Sequence, residues 1–402
     1  MNSDGWEKVK LGDIANYSKD RIDVCQITIN NYVSTENMMP QKSGVTYASS
    51  LPNSVSNRYR KNQTLISNIR PYFKKIWLAS NSGGCSADVL VFDIKANIDY
   101  KYFFYLLSQD AFFDYMMLGS KGTKMPRGDK RQIMQFSLHL PSFLEQKSIA
   151  ATLSCLDDKI ELNNRMNKTL EEMAQLIFKS WFVDFEPFQD GEFVDSELGR
   201  IPKGWRVLTL DDIVYSIDNR GKTPPLSLQP TAFPIIDVKA LNGNSRIINY
   251  DNCTKFVEEN TYRNWFRSGH PKQNDILMST VGSLAEIKIF YGSKGCVAQN
   301  VVGFRSKGLS PLYIYQYLLH IKKDLISYNI GSVQPSIKVS QVIKHKIVVP
   351  EHNALTVFHD IINTISNKIL ENSLEIQYLI DIRNSLLPKL MSGEIRVPIQ
   401  EE

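Results

Sequence analysis

The chain has 402 residues, 43% of them hydrophobic, and a formal net charge of +5 from 47 basic and 42 acidic side chains. That is apolar material for two or three domain-sized cores, which excludes a disordered or low-complexity protein. The polar residues 1–10 and the lack of an apolar run near the ~20 residues of a bilayer span set the expectation of a cytoplasmic protein with no membrane segment.

In the first half, short β-rich runs at 64–69, 75–79 and 89–94 alternate with turn residues, and a helical pattern follows over 100–117. After Pro141 the character changes to long helix. An acidic stretch follows, with Asp184, Glu186, Asp190, Glu192, Asp195 and Glu197. The second half runs the same course: β-rich runs at 235–238, 275–278 and 286–291, a helical pattern over 311–328, Pro350, then long helix. The expected domains are a module at 1–142, a helical region at 143–184, an acidic linker at 185–203, a second module at 204–350, a second helical region at 351–394 and a tail at 395–402.

The halves are copies. Trp6, Leu11, Asp13 and Ile14 recur in order and spacing as Trp205, Leu210, Asp212 and Ile213. The run 63–66 parallels 274–277, Gly84-Cys85 parallels Gly295-Cys296, and Tyr105-Leu106-Leu107 answers Tyr317-Leu318-Leu319. Gly122-Thr123, Pro126, Gln132 and Pro141 recur as Gly331-Ser332, Pro335, Gln341 and Pro350. A unit of domain size repeated twice is a tandem duplication and not a solenoid. Changes of offset put insertions after Trp205 and before Asn274, where loops are expected. The fold class is therefore mixed α/β, with two tandem α+β modules.

Ile149, Leu153, Leu156, Ile160, Asn163 and Leu170 fall on a 4-3 spacing in the first helical region, continued by Ile177 and Trp181. Phe358, Ile362, Ile365, Ile369, Asn372, Ile376, Leu379, Leu386 and Leu390 do so in the second, with a lapse at Arg383. This is a coiled-coil seam, in which Asn163 and Asn372 hold equivalent places; they are either buried register pins or partly exposed positions where Asn is tolerated. The economical arrangement is two long antiparallel helices about a pseudo-twofold axis, each of roughly 38 residues and about 57 Å. Two similar modules on a spacer suit a ligand with two sites on one rod, and duplex DNA is such a ligand.

Charge supplies the candidate contacts: Arg58, Arg60, Lys61, Arg70 and Lys74; Lys121, Lys124, Arg127 and Lys130; and, in the second copy, Arg220, Lys222, Lys239, Arg246, Lys294 and Lys338. Cations of this kind position a duplex through its phosphates, while loop polar groups reach base edges. Residues 122–131 and 331–338, rich in Gly, Pro and cations, are the preferred DNA-facing loops; the other reading is a turn that seats each module on its helix. The Gly221 and Pro224-Pro225 segment is likewise a rigid turn or a DNA-facing loop.

The stretches Trp181-Phe-Val-Asp-Phe-Glu-Pro-Phe and Glu197-Leu-Gly-Arg-Ile-Pro-Lys-Gly-Trp205 resemble the junction of type I restriction-modification specificity subunits. So do Asn68-Ile-Arg-Pro-Tyr-Phe73 with Lys75-Ile-Trp77, Asp218-Asn-Arg-Gly-Lys-Thr-Pro224 and Leu386-Leu-Pro-Lys-Leu-Met-Ser-Gly-Glu394. The resemblance implies two target-recognition domains that each read half of a split sequence, with helices as ruler and docking surface for two methyltransferase subunits. The same resemblance implies that motor-nuclease restriction subunits complete the complex. It also implies a chain that is not an enzyme and binds no cofactor, with S-adenosylmethionine, ATP and Mg2+ on partner subunits. A stand-alone DNA-binding regulator or assembly scaffold is the alternative.

Catalytic signatures are sparse. The sequence has no G-x-x-x-x-G-K-[ST] loop and no Asn/Asp-Pro-Pro-aromatic element. Asp275 with Glu286 and Lys288 imitates the acidic-plus-E-x-K spacing of metal-dependent nucleases, but a strand of alternating charge explains it as well. His352 and His359 could share a helix face without forming a ligand set, so no metal is expected. Cys25, Cys85, Cys155, Cys253 and Cys296 are scattered, form no C-x-x-C pair and read as reduced thiols.

Overall fold

The computed structural model describes residues 5–122, 124–221, 223–243, 245–331 and 333–398. It divides into two compact units, Met1–Glu161 with Gln377–Glu402, and Leu162–Ile376. Each unit therefore holds one module and segments of both long helices, Phe143–Phe182 and His352–Met391.

In the first unit, strand Glu7–Lys10 pairs antiparallel with Ser137–Leu140, the last strand before the long helix. A one-turn helix at Leu11–Ile14 reverses the chain into a four-stranded antiparallel sheet ordered Ala15–Tyr17, Val89–Ile94, Thr64–Ser67, Ile76–Leu78. A second sheet carries Arg21–Ile22, Ser56–Tyr59, Gly83–Cys85 and Tyr32–Val33, the last pair parallel. The second unit repeats this plan. Arg206–Thr209 pairs with Lys346–Val349, the four-stranded sheet runs Val214–Ile217, Val301–Ser306, Ile276–Ser279, Ile287–Ile289, and Ile235–Ile236 lies parallel to Cys296–Val297.

Pairing fixes the alignment of the copies more sharply than sequence does. Thr64 faces Phe92 as Ile276 faces Phe304, and Asn62 and Asn274 both adopt the left-handed conformation, with φ of 70° and 71°. Thr64 thus corresponds to Ile276, one residue on from the sequence match of 63–66 with 274–277.

The helical patterns at 100–117 and 311–328 each break once, into Tyr100–Leu107 and Asp110–Leu118, and into Pro311–His320 and Lys322–Ser327. At the first break the Ser108 hydroxyl donates to the Phe104 carbonyl at 2.7 Å, and its N–H is shared between Phe104 and Tyr105, which tightens the last turn. Asp99 starts the first of these helices by accepting from the Lys101 and Tyr102 amides.

Residues 185–203 do not behave as a linker. They form a turn at Glu186–Phe188 and a hairpin of Phe193–Ser196 with Gly199–Pro202. Phe185, Phe188 and Ile201 pack against the core around Trp205, with Phe188 4.8 Å from its ring, so the apolar residues between the acids fold the segment down.

Within each unit the helix segments run antiparallel, and both enter the module core. Leu387, Leu390 and Met391 join Ile149, Leu153, Leu11 and Phe103 in the first; Phe178 and Phe182 join Phe358, Ile362 and Tyr313 in the second. Along the seam Ile149, Leu153, Asn163, Ile362, Ile369 and Asn372 are buried, and Leu156, Ile160, Leu170, Ile365, Ile376 and Leu379 are half-buried. Asn163 and Asn372 do not face each other. Asn372 donates to Asn167 at 2.9 Å and Asn163 to Glu375 at 2.8 Å. The lapse at Arg383 is resolved by Asp157, 2.7 Å away, which also accepts from the Tyr105 hydroxyl. Among the described residues, no helix is long and apolar enough to cross a membrane.

Candidate nucleic-acid interface

The strand Thr64–Ser67 runs out through Asn68 and Ile69 into a tight turn in which Arg70 and Lys74 both hold left-handed backbone, each with φ of 51°. A side chain other than glycine there costs on the order of 1 kcal/mol. The loop after Leu118 folds back onto this turn. Lys121 and Arg127 exchange backbone hydrogen bonds at 2.9 and 3.0 Å, Arg70 N–H donates to the Pro126 carbonyl at 2.8 Å, and Gly128 N–H to that of Asn68 at 3.2 Å. Gly128 sits close under the Asn68 side chain, where a Cβ would stand 2.8 Å from the Asn68 Oδ1 and push it aside.

The second module builds the same junction. Ile330 N–H donates to the Ser336 carbonyl at 3.0 Å, Gly282 N–H to Pro335 at 3.0 Å, and Ile337 N–H to Thr280 at 2.8 Å. Gly282 and Ala285 take the two left-handed places, with φ of 85° and 53°. Gly331 cannot carry a side chain, since a Cβ would fall 1.8 Å from the Gln334 carbonyl. The loops 122–131 and 331–338 are thus structural twins, both tied to the turn that follows the central strand. The Thr123 and Ser332 landmarks lie outside the described residues.

Around the first junction Arg70, Lys74, Lys121, Lys124, Arg127 and Lys130 gather on contiguous turns, and a shallow cleft is lined by Lys121, Arg127, Asp129, Lys130 and Arg131. Three carboxylates answer them. Lys121 pairs with Asp129 at 3.3 Å, Arg127 with Asp88 at 3.1 Å, and Lys74 with Asp110 at 2.9 Å. Backbone amides of Gln132 and Arg131 hold the Asp129 carboxyl below its ordinary range, with Lys121 adding to the effect. Burial works against the charge on Asp110, but Lys42 and Lys74 outweigh it and its carboxyl also lies low. Exposed pairs like these are worth ~0–1 kcal/mol and exchange readily for a phosphate partner.

The remaining expected contacts are scattered. Arg58, Arg60 and Lys61 are exposed on and just after strand Ser56–Tyr59, with Arg60 on Asp20 at 2.6 Å. Lys124, Lys130, Lys239 and Lys338 are exposed, and Lys294 stands 5.1 Å over the Phe233 ring. Arg220 is folded onto Asp218 two residues away, through Nε at 2.9 Å and a terminal nitrogen at 2.6 Å. Lys222 lies outside the described residues.

Arg246 is a correction. It is 1% exposed, its guanidinium forks onto both oxygens of Glu171 at 2.5 Å, and it donates to Ser366 at 2.6 Å, so it has no surface to offer DNA. Sequence reasoning also passed over Lys42 and the 45% exposed Tyr72. Lys42 reaches the first junction because its N–H donates to the Lys74 carbonyl at 3.0 Å. A turn signal at Pro40 to Gly44 was the available cue.

The Asp275, Glu286 and Lys288 set of nuclease spacing is taken up by separate partners. Asp275 holds Arg305 at 2.7 Å, Glu286 holds Lys322 at 3.3 Å, and Lys288 is buried with its ammonium on the carbonyls of Gly243 and Ser245. His359 bonds the Ser310 hydroxyl at 2.8 Å.

Twin modules with one backbone junction and divergent exposed side chains define a duplicated recognition protein. The family model for the type I restriction modification DNA specificity domain matches residues 3–172 and 202–378, one match per copy, and the chain belongs to that family as a non-catalytic specificity component. It is 29% identical over 314 residues to the MjaIX specificity subunit of Methanocaldococcus jannaschii, covering 74% of this chain and 69% of that one. With the HindI specificity subunit of Haemophilus influenzae it shares 26% over 466 residues, 97% and 99% of the two chains. Its fold is similar to the S subunit of a type I restriction-modification system from M. genitalium, with a TM-score of 0.55, 17% identity and 97% of each chain covered.

Proposed function

We propose that each module reads one half of a bipartite duplex DNA target, that the paired helices set the half-site spacing, and that the chain docks two methyltransferase subunits, with motor-nuclease subunits joining them. The carrying observation is the conserved backbone junction with divergent side chains: shared scaffold, separate specificities. On this reading Arg58, Arg60, Lys61, Arg70, Lys74, Lys121, Lys124, Arg127 and Lys130 contact phosphate or base edges in the first half-site. Arg220, Lys222, Lys239, Lys294 and Lys338 do so in the second. S-adenosylmethionine, ATP and Mg2+ belong to the partners, and the assembly works in the cytoplasm.

Docking is supported by a second apolar stripe on the first long helix, away from the seam. Leu162, Met166, Met173 and Leu176 are 44%, 36%, 46% and 66% exposed and follow heptad-like spacing with Thr169. A stripe of this kind fits a partner helix. The test is co-expression with a type I methyltransferase. Co-purification and methylation of a split sequence that depends on this chain support the reading. Split-site binding with no methyltransferase association points instead to a stand-alone regulator.

A further inference from the structure

In the second module Asn242, Gly243, Ser245 and Asn249 are exposed on a loop whose Arg246 and Ile248 are buried, and two buried cations hold it in place. Arg246, on the loop, reaches through the module to both long helices: Glu171 on the first, at 2.5 Å through two nitrogens, and Ser366 on the second, at 2.6 Å. Its guanidinium lies 5.1 Å over the Tyr315 ring. From the sheet side, the ammonium of Lys288 binds the carbonyls of Gly243 and Ser245, and Ile289 N–H donates to the Arg246 carbonyl at 2.8 Å. Around these anchors Asn242, Ser245 and Asn249 stay exposed, next to the exposed Lys239; the Ser245 hydroxyl accepts from the Ile247 amide and the Asn249 Oδ1 from that of Asp251, which leaves the Asn249 amide nitrogen and the Ser245 O–H to donate outward. Amide and hydroxyl side chains of this kind match base edges.

Burying a fork-bound Arg–Glu pair is a poor way to gain stability, because desolvation offsets the attraction; what it provides is a single geometry. Among the described residues of the first unit no buried arginine anchors a loop; Arg396, on the tail, pairs with Glu145 at 2.5 Å but its side chain stays 40% exposed. There Asp157, the counterpart of Ser366, is satisfied by Arg383 and Tyr105, all on helices. Loops that merely connect elements do not need an anchor of this kind.

We infer that the loop carrying Asn242, Ser245 and Asn249 is a base-reading element of the second module, and that Arg246, with Glu171, Ser366 and Lys288, is a positioning group that keys this loop to the helix pair. The inference rests on the reading of one half-site per module. It places the second module's specificity on a loop fixed relative to those helices within its own unit, and it makes Arg246 act without touching DNA.

The test is selection of duplexes from a randomised library by the full-length chain, wild type and Arg246→Ala, followed by sequencing. The expected result is two enriched half-sites for wild type. For the variant, enrichment at one half-site falls at least tenfold while the other half-site and the spacer length persist. Glu171→Gln, which keeps the shape and weakens the fork, gives the same one-sided loss in smaller degree and guards against a variant that fails to fold. Equal loss at both half-sites, or no loss at either in a folded variant, overturns the inference and leaves the half-site reading standing. If wild type itself enriches nothing, the half-site reading falls and the inference with it.

Discussion

The twin loops at 121–131 and 330–340 share three backbone hydrogen bonds, with the fourth passed from the Lys121 carbonyl to the Asn329 side chain, and share almost none of their charge. Lys121, Lys124, Arg127, Lys130 and Arg131 in the first copy stand where Ile330, Val333, Ser336, Val339 and Ser340 stand in the second. The left-handed turn beneath them follows suit, with Arg70 and Lys74 against Gly282 and Ala285. The duplication kept the backbone contacts, the turn and one glycine place, Gly122 and Gly331, while Ile337 stands for Gly128 and Gly282 for Arg70, and it let go of what a ligand sees. The two modules are therefore unequal electrostatic partners for a duplex, with the phosphate-directed term concentrated in the first.

The largest expected effect separates the two module–helix junctions. Glu171→Ala strands the buried Arg246 guanidinium and should destabilise the second unit by about 3–5 kcal/mol. Asp157→Ala, whose partner Arg383 is partly exposed, should cost about 1 kcal/mol in the first. Denaturant unfolding with probes in each unit measures both. A smaller loss at Glu171 than at Asp157 would break the comparison.

Charge at the twin loops comes next. Removing two phosphate contacts with Lys124→Ala and Arg127→Ala should reduce the slope of log affinity against log salt by roughly 1.8. The matched Val333→Ala and Ser336→Ala pair should leave the slope unchanged. Titrations of a random-sequence duplex at several salt concentrations decide, and equal slopes in both variants would refute the asymmetry.

Lys288 gives a pH signature confined to the second unit. Burial pulls its ammonium down to about 8 in the folded chain, from 10.5 when unfolded. Between these values the unfolded chain binds more protons, so the contribution of Lys288 to stability rises with pH across the window, by about 3 kcal/mol in all. Below pH 8 both states are charged and the term is flat. Lys288→Met should lack the rise, which melting temperatures from pH 7.5 to 10 reveal. The smallest effect belongs to a surface pair: Asp20→Asn, which frees Arg60, should change stability by under about 1 kcal/mol in urea unfolding.

The duplication, the mixed class, the long helices and their seam were legible because each depends on repeated local pattern. What was not legible depends on distant partners. Arg246 sits in a polar Asn-Ser-Arg run that reads as a DNA-facing loop, and the residues that bury it lie 75 and 120 positions away. The left-handed backbone at Arg70 and Lys74 leaves no trace in composition, since neither is Gly or Asn. At 185–203 the acids draw the eye, but six large apolar residues are interleaved with them, and Phe185, Phe188 and Ile201 fold the segment down. The break at Ser108 comes from a hydroxyl bonding back to its own helix, which competes with a strong periodic signal on either side.

The central claim, one half-site per module, is tested most directly by methylome sequencing of cells that express this chain with its methyltransferase, before and after residues 204–350 are exchanged for the same segment of another family member. The account predicts that one half of the split motif changes while the other half and the spacer length stay fixed. A change in both halves, or in neither, would contradict it.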